Sequence, residues 1–334
     1  MDKKIQKELN FQYINQNEIC HLFNNIALDK FDSKQLSYIL SSMNLKKNNL
    51  YELIIGSTKE ILKHSKPSFK PKYLFADIVG TGGDNANTIN ISTTSAFVAS
   101  SCGFKIAKHC NKNITGLSGS ANLLDSLKIN LYSTPENSLQ LLNKFNLCFL
   151  YFPHYYNCFN RIYKIRKKLK TKTIFNIIGP LLNPTQPPLI VVGVYNENII
   201  EPMINAIKFF KYKHAIVIHS SGTDEVTLHD TTYVAELKND NISFYELNPK
   251  DFGINKHSEN FAIGGSTKKN TNIIKDIIKG KSNLAIEQII AVNVAIVLKV
   301  FGWSDLKKNT SLALHAIQSG KVYNHMISMS KQHK

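Results

Sequence analysis

Arginine is the residue type that this 334-residue sequence lacks most: Arg161 and Arg166 are the two arginines among 41 basic residues. With 24 acidic residues the formal net charge is +17, and such an excess can indicate nucleic acid binding through phosphate neutralisation. Nucleic acid surfaces, however, usually use arginine as well as lysine, because the guanidinium group forms bidentate hydrogen bonds and stacks on bases. Lysine is in excess along the whole chain, which indicates compositional drift and argues against nucleic acid as the main partner.

Long apolar runs are also missing. No stretch approaches the roughly 20 apolar residues that span a bilayer, and the amino-terminal MDKKIQKELN is not followed by the apolar region of a signal peptide. The five cysteines form no CxxC pair and no zinc-type spacing with histidine, a pattern typical of reduced thiols. We therefore expect a cytoplasmic chain with no membrane partner. Its 43% hydrophobic residues suffice for a packed core, which excludes wholesale disorder.

The periodicity of apolar residues changes along the chain. Residues 1–66 show helical spacing, most clearly over residues 19–26 and 36–43, and Asp32 is placed to cap the second of these helices. The segment His64 to Tyr73 contains two prolines and no periodicity, which is typical of a linker or hinge.

After the linker, short apolar runs alternate with helical patterns. Alternation at this spacing predicts a mainly parallel sheet covered by helices. The predicted helices are Ser92 to Ser101, Ser118 to Leu127, Ile199 to Phe210 and Leu284 to Phe301. The predicted strands are Tyr73 to Val79, Phe104 to Lys108, Cys148 to Phe152, Leu189 to Tyr195 and Ala215 to His219.

The segment DIVGTGGDNANTINIST, from Asp77 to Thr93, has the composition of an anion-binding loop. Three glycines follow a predicted strand, and glycines let backbone N–H groups approach an anion closely. The helix predicted to start after Asn90 adds oriented N–H donors. The glycine spacing fits neither GxGxxG nor GxxxxGK[ST], which excludes a Rossmann or Walker loop. An ordinary glycine turn with a helix cap remains the alternative.

Two further loops follow predicted strands. In AKHCNKNITGLSGSANLLD, from Ala107 to Asp125, Lys108 at a strand end beside hydroxyl-rich turns suits a polyphosphate, although a solvated connection is equally consistent. In HSSGTDEVTLHD, Asp224 and Glu225 follow a strand end and suit Mg²⁺ held beside phosphate oxygens. A solvated turn is the alternative there as well.

Together these loops resemble those of the anthranilate phosphoribosyltransferase family. The matching segments are GTGGD from Gly80 to Asp84, NIST from Asn90 to Thr93, KHCNKNITGLSGSA from Lys108, RKKLKTKTIFNIIGPLLNP from Arg166 to Pro184, and the Asp224-Glu225 loop. The resemblance covers essentially the whole chain. It implies transfer of phosphoribose from phosphoribosyl pyrophosphate to the amino group of anthranilate, with release of pyrophosphate, in tryptophan biosynthesis. It also implies Mg²⁺ as cofactor and a homodimer.

The resemblance implies a role for each matching residue. Anthranilate would contact Gly80, Asn111 and Arg166, and Mg²⁺ would be held by Ser92, Asp224 and Glu225. Phosphoribosyl pyrophosphate would be bound by Gly80, Gly83, Asp84, Thr88, Asn90, Ile91, Ser92, Thr93, Lys108, His109, Cys110, Asn111, Lys112, Asn113, Ile114, Thr115, Gly116 and Ser120.

The fold implied is α/β: a small all-helical domain plus a large α/β domain with a mainly parallel central sheet, as in nucleoside phosphorylases and phosphoribosyltransferases of this type. We assign residues 1–70 to the helical domain, with inserted helices at about 165–187, and residues 71–334 to the α/β domain that binds phosphoribosyl pyrophosphate. The active site is expected in the cleft between them.

Several positions depart from the family pattern. Cys110 stands where the family usually has glycine, Lys112 where it has arginine, Leu117 where it often has lysine, Asn122 where it has aspartate and Tyr156 where it has histidine. A side chain at Cys110 would crowd a phosphate loop, or strain it if the backbone φ were positive. Two alternatives follow: a relative of the same fold with impaired catalysis that binds nucleic acid, and a pyrimidine nucleoside phosphorylase.

Overall fold

The computed structural model describes residues 15–43, 49–84, 88–111, 119–169, 171–258 and 261–331. Its first elements are the helices α1 (Gln16–Ala27), α2 (Ser33–Ser42) and α3 (Leu50–Lys63). The predicted cap of α2 is confirmed, because the Asp32 carboxylate accepts the backbone N–H groups of Lys34 at 2.7 Å and Gln35 at 2.8 Å. Such a cap satisfies donors that have no partner within the helix.

A seven-stranded sheet forms the centre of the molecule, in the order β3-β2-β1-β4-β5-β6-β7. Pairing is parallel from β3 through β5 and antiparallel for β6 and β7, which confirms the predicted mainly parallel sheet. Every residue of β2, β3, β4 and β5 is buried, as expected for parallel strands covered on both faces. The strands are β1 (Ala76–Gly80), β2 (Ile106–Cys110), β3 (Leu147–Tyr151), β4 (Leu189–Gly193), β5 (His214–Ser220), β6 (Thr232–Lys238) and β7 (Asn241–Leu247).

Helices connect and cover these strands. They are α4 (Ile91–Ser101), α5 (Ser120–Ser126), α6 (Pro135–Phe145), α7 (Phe152–Tyr155), α8 (Asn160–Leu169), α9 (Ile174–Ile178), α10 (Ile200–Phe209), α11 (Thr267–Ile278), α12 (Leu284–Val300), α13 (Leu306–Gln318) and α14 (Lys321–Ser330). Short 3₁₀ turns cover Asn157–Phe159, Gly179–Leu182, Glu197–Ile199 and Pro249–Phe252. In the part of the chain that the structure describes, no helix has the length and apolar character needed to cross a membrane.

Helices α8 and α9 lie between β3 and β4 in sequence, yet they pack against the amino-terminal helices. α2 contacts α8, and α3 contacts α9. The buried side chains of α1–α3 also join the same hydrophobic cluster as those of the sheet. These contacts fit a helical lobe that includes an inserted segment, and the domain boundaries at residues 70 and 71 stay a prediction.

The sheet differs from the sequence prediction in several places, and β1, predicted from Tyr73, begins three residues later at Ala76. β2 runs two residues later than predicted, because Phe104 belongs to the turn after α4, where its N–H donates to Ala99 O and its ring packs on Phe301 and Trp303. Lys108 therefore lies within a strand and not at its end. The β6–β7 hairpin was not predicted at all. Its turn, Asn239-Asp240, has positive φ at both residues, a signal of a two-residue hairpin that the sequence does contain.

Glu236 on β6 is the centre of a buried polar network that should contribute to stability. Its carboxylate accepts hydrogen bonds from His214 at 2.7 Å, Tyr245 at 2.7 Å and Lys299 at 3.2 Å. Burial alone would raise the pKa of Glu236, but the bonds from His214, Tyr245 and Lys299 outweigh burial and lower the pKa to about 2.

We expect Glu236→Gln to lower the free energy of unfolding by about 2 kcal/mol at pH 7, as for loss of a charged hydrogen-bond acceptor. Because the folded pKa lies below the usual value of 4.5, this stabilisation is present above pH 4.5 and is lost as the pH falls toward 2. Urea denaturation of both proteins at pH 7 and pH 3 measures the difference. A gap as large at pH 3 as at pH 7 would contradict the assignment.

Candidate active site

A cavity of about 410 Å³ opens at the carboxyl ends of the parallel strands. It brings together segments that are far apart in sequence: the loop after β1, the start of α4, the end of β2, helix α8 and the loop after β5. The predicted site residues that line it are Gly80, Gly83, Asp84, Thr88, Asn90, Ile91, Ser92, Lys108, His109, Cys110, Asn111, Ser120, Arg166, Asp224 and Glu225. Thr93 lies behind the lining and donates a hydrogen bond from its hydroxyl to that of Ser120 at 2.9 Å. Lys112, Asn113, Ile114, Thr115 and Gly116, like Leu117, fall outside the described residues.

A pair of glycines determines how closely the acidic loop approaches the sheet. Gly80 and Gly193 are register partners on β1 and β4. A Cβ atom on Gly80 would overlap the Asp224 carboxylate, and one on Gly193 would overlap the Asp224 carbonyl oxygen. Asp224 therefore fits over the strand ends only because both positions lack a side chain. The sequence analysis did not identify Gly193.

The acidic pair is buried, which rules out the solvated turn considered for this loop: Asp224 is 8% exposed and Glu225 9%. The Asp224 carboxylate accepts the Gly82 N–H at 2.6 Å. Burial and repulsion from Asp84 raise the pKa of Asp224 to about 7. Burial and repulsion from Asp224 raise the pKa of Glu225 well above its usual range, although the Ser92 N–H at the start of α4 donates to it. This corner of the cavity thus concentrates negative charge.

Lys108 is a buried cation that interacts with both carboxylates. It is 2% exposed, and its ammonium group donates to Ile78 O and, at 3.3 Å, to the Ser92 hydroxyl. Burial lowers the pKa of Lys108, whereas the Asp77 carboxylate and the acidic pair oppose that shift. The solvated connection considered for this loop does not apply to Lys108 itself, which lies inside the cavity.

Arg166, on α8, also lines the cavity. It is 9% exposed and its Nη2 donates to Asn176 Oδ1 at 3.1 Å, while the guanidinium carbon lies 5.5 Å from the centre of the Phe175 ring. Nε has no hydrogen-bond partner among the described residues, and none of their carboxylates forms a salt bridge with Arg166. Burial lowers the pKa of Arg166 to about 10, so the group is cationic at neutral pH and has no countercharge in the described structure.

His109 packs beside two aromatic rings. The His109 ring lies 5.6 Å from that of Phe152, and Phe152 stacks on Tyr156 at 4.7 Å. Burial and the Lys108 charge lower the pKa of His109 to about 3, so the imidazole is neutral. The Gly179 backbone engages the ring through Nδ1, since Nε2 is buried without a partner among the described residues. Tyr156 is fully buried, and its hydroxyl donates to Leu182 O at 2.9 Å.

Cys110 does not strain the loop in the way that the sequence suggested. Positive φ values occur at eight described non-glycine residues, and Cys110 is not one of them. The thiol is 5% exposed, and burial raises its pKa to about 12. Cys110 is therefore a small buried side chain at the end of β2.

Sequence reasoning missed several residues that support the site. Asp77 and Asn183 are fully buried, and the Asn183 amide donates to Asp77 Oδ2 at 2.8 Å. Asp77 gave a signal that could have been used, a carboxylate inside a predicted buried strand. Asn176 accepts a hydrogen bond from Arg166, and Phe175 lies beside its guanidinium group. Neither residue gave a signal in the sequence, because asparagine and phenylalanine are both common near the start of a helix.

Three comparisons with known proteins agree with one another. A family profile described as "Glycosyl transferase family, a/b domain" matches residues 72–323. The anthranilate phosphoribosyltransferase of Buchnera aphidicola subsp. Schizaphis graminum is 49% identical over 321 residues, which cover 96% of each chain. The protein of the same name from Buchnera aphidicola subsp. Diuraphis noxia is 47% identical over 334 residues, covering 100% of this chain and 99% of the relative.

Solved structures are similar over the whole length. Anthranilate phosphoribosyltransferase from Saccharomyces cerevisiae, in complex with phosphoribosyl pyrophosphate and Mg, superimposes with a TM-score of 0.88 at 25% identity, covering 100% of this chain and 98% of that one. The enzyme of this name from Thermus thermophilus also has a TM-score of 0.88, at 23% identity and 98% coverage of both chains, which shows a shared fold.

The glycine pair yields a stability prediction. Gly193→Ala should destabilise the protein by about 1–3 kcal/mol or more, because the new methyl group overlaps the Asp224 backbone. Gly179→Ala is the matched control, since a Cβ there meets no atom within 4 Å. Thermal denaturation compares the two variants, and equal melting temperatures would show that the acidic loop does not depend on Gly193.

Proposed function

The chain belongs to the anthranilate phosphoribosyltransferase family, and we propose that it transfers the phosphoribosyl group of 5-phosphoribosyl 1-pyrophosphate to the amino group of anthranilate, in tryptophan biosynthesis. The products are N-(5-phosphoribosyl)anthranilate and pyrophosphate. Family membership rests on relatives that are nearly half identical over the full length.

The observation that carries this function is the buried Arg166 without a countercharge. A buried guanidinium is costly unless an anion pairs with it. Its planar fork suits a carboxylate, which it binds bidentately, and Phe175 lies beside it at 5.5 Å. An aromatic carboxylate such as anthranilate would pair its carboxylate with the Arg166 guanidinium and pack its ring near Phe175.

The phosphate groups belong beside the glycine loop and the start of α4. There the loop after β1 contains Gly82 and Gly83, both with positive φ, and the amino terminus of α4 points its N–H groups at the same space. Lys108 adds a buried positive charge. We propose that these residues bind phosphoribosyl pyrophosphate together with other residues that line the cavity: Gly80, Asp84, Thr88, Asn90, Ile91, Ser92, Asn111 and Ser120.

Mg²⁺ fits the acidic corner. Among the described residues no three His, Cys, Asp or Glu side chains surround one metal position, but Mg²⁺ commonly binds through one or two carboxylates and completes its shell with water and phosphate oxygens. Burial, together with repulsion from neighbouring carboxylates, raises the pKa values of Asp224 and Glu225, and a bound cation would favour their charged forms. We assign the ion to Ser92, Asp224 and Glu225. The chemistry that it would supply is neutralisation of charge on the departing pyrophosphate.

The protein's own residues would position the reaction. The amino nitrogen forms a bond to C1 of the ribose as the bond from C1 to the pyrophosphate oxygen breaks, and the proton that the nitrogen loses passes to solvent water. Lys108 is placed to stabilise the leaving oxygens. The unpartnered Nε2 of neutral His109 is a hydrogen-bond acceptor, and the amino group is the N–H donor that anthranilate offers. This bond would orient the amine for attack, and much of the rate would come from such positioning.

The alternatives are not favoured. The curated relatives carry the name anthranilate phosphoribosyltransferase over nearly the whole chain, and neither a pyrimidine nucleoside phosphorylase nor a nucleic-acid-binding relative finds support in them. Cys110 is accommodated without left-handed backbone, which removes one reason to expect impaired catalysis.

A homodimer is also proposed. Three large apolar side chains are exposed on or beside the amino-terminal helices: Leu28 at 53%, Tyr38 at 46% and Tyr51 at 36%. A contiguous exposed apolar patch marks an interface, and these side chains are the candidates for self-association through the helical lobe.

The function is tested by following anthranilate fluorescence with phosphoribosyl pyrophosphate, with and without Mg²⁺. We expect a decrease in fluorescence that requires the metal. The absence of any metal-dependent decrease would overturn the proposed function.

Arg166→Lys tests the anthranilate site. The charge is kept but the fork is lost, so we expect KM for anthranilate to rise about 10- to 100-fold, equivalent to about 1.4–3 kcal/mol. KM for phosphoribosyl pyrophosphate should change little. Arg161→Lys is the control, because Arg161 pairs with Asp29 at the surface. If Arg166→Lys changed KM for phosphoribosyl pyrophosphate alone, the assignment of Arg166 to the anthranilate site would be wrong.

A further inference from the structure

The parallel strands β1 and β2 separate at their carboxyl ends. β1 pairs with β4 along all five residues, but within residues 76–80 and 106–110 its pairing with β2 is confined to Ala76 and Ile106. A continued parallel ladder would use the backbone groups of Ile78, Ala107 and His109 on the facing edges. In this structure those groups are all bound by side chains.

Three buried side chains take the place of the missing ladder. Lys108 donates to Ile78 O. The Asn183 amide donates to Ala107 O at 2.8 Å, and the His109 N–H donates to the Asp77 carboxylate at 3.3 Å. Backbone groups buried without partners are costly, so these side chains are what allow the strand ends to separate.

Asn183 also fixes its own orientation and that of Asp77. Its Oδ1 accepts the backbone N–H of Thr185 at 3.0 Å and the Thr185 hydroxyl at 2.6 Å, which leaves its NH₂ group for Ala107 O and Asp77 Oδ2. The amide therefore cannot flip without losing bonds on both sides. Asn183 follows α9 and the 3₁₀ turn Gly179–Leu182 in sequence, so it connects the segment beside Arg166 to the end of β2.

We propose that Asp77 and Asn183 act as a clamp that holds the ends of β1 and β2 apart and thereby positions Lys108 and His109 in the cavity that Arg166 also lines. The clamp binds β2 at two backbone groups that flank Lys108: Asn183 donates to Ala107 O, and Asp77 accepts the His109 N–H. Both residues are positioning residues, because neither lines the cavity. The reason to retain a buried carboxylate here is the separation itself: a continuous ladder would satisfy the same backbone groups without burying a charge. The kinetic consequences rest on the proposed function, whereas the separation does not.

Asp77→Asn is the main test, because it preserves volume and removes the charge. The Asn183 amide is fixed by Thr185, so the amide introduced by Asp77→Asn must place its oxygen where Oδ2 lies to accept the Asn183 NH₂ group. Its own NH₂ group then meets the His109 N–H, which in the wild-type protein lies 3.3 Å from both carboxylate oxygens. We expect kcat/KM to fall about 10- to 100-fold for both substrates, the scale of a small misplacement at an active site. Amide hydrogen exchange in the peptide 106–111 should accelerate at least about tenfold, as expected for local opening.

Glu236→Gln is the matched control. Glu236 is also a buried carboxylate with several hydrogen bonds, but it lies on β6 and not at the cavity. A purely structural role for Asp77 predicts that both variants lose stability while kcat/KM and exchange in 106–111 stay at wild-type values. That result would overturn the clamp.

Asn183→Ala, compared with Asn309→Ala, extends the test if Asp77→Asn fails to fold. Asn309 is likewise buried and donates two hydrogen bonds, to Ala295 O and Trp303 O. Faster exchange in 106–111 and lower kcat/KM for Asn183→Ala alone support the clamp, and equal behaviour of the two variants overturns it. If the wild-type protein showed no transfer at all, the proposed function would fail, and the exchange measurements would still decide whether the clamp exists.

Discussion

The electrostatic interaction of Lys108 with the carboxylates around it is the one on which the site depends. Asp77, Glu225 and Asp224 all oppose the loss of its charge, and they come from β1 and from the loop after β5. A buried lysine without such partners would lose its proton, and buried carboxylates without a cation would gain one. The strand ends, the acidic loop and the start of α4 therefore form one electrostatic unit, and Arg166 is a second buried cation that lines the same cavity.

Much of the fold could be predicted from the sequence, because alternating strand and helix patterns leave few topologies open. The segments of the site could also be predicted, since glycines after a strand and polar residues before a helix have few other uses. The position of Lys108 within β2 could not, because a shift of two residues preserves the alternation of side chains. Asn183 and Gly193 were missed for a different reason: each matters through a contact with a residue that is distant in sequence. Asp77 was missed although a carboxylate inside a predicted buried strand is a usable signal.

The net charge of +17 does not arise from the residues of the cavity. The two arginines show this well. Arg161 pairs with Asp29 at the surface, whereas Arg166 is buried beside Phe175 with no carboxylate partner in the described structure. Lysine can serve at an exposed position, where geometry matters little, but not where a planar fork is required. The lysine excess at the surface therefore reflects compositional drift, whereas the residues of the cavity are determined by the groups that they bind.

The contact of Asp224 with Gly80 and Gly193 has a consequence for folding. The residues involved are separated by long stretches of chain; the bond from Gly82 to Asp224, for example, spans 142 residues. Contacts of such high sequence separation form late, after the intervening chain has been ordered. The cavity should therefore form in the last steps of folding. A partly folded chain would not contain even part of the cavity. A ligand that binds this cavity would stabilise the complete native state and not its intermediates.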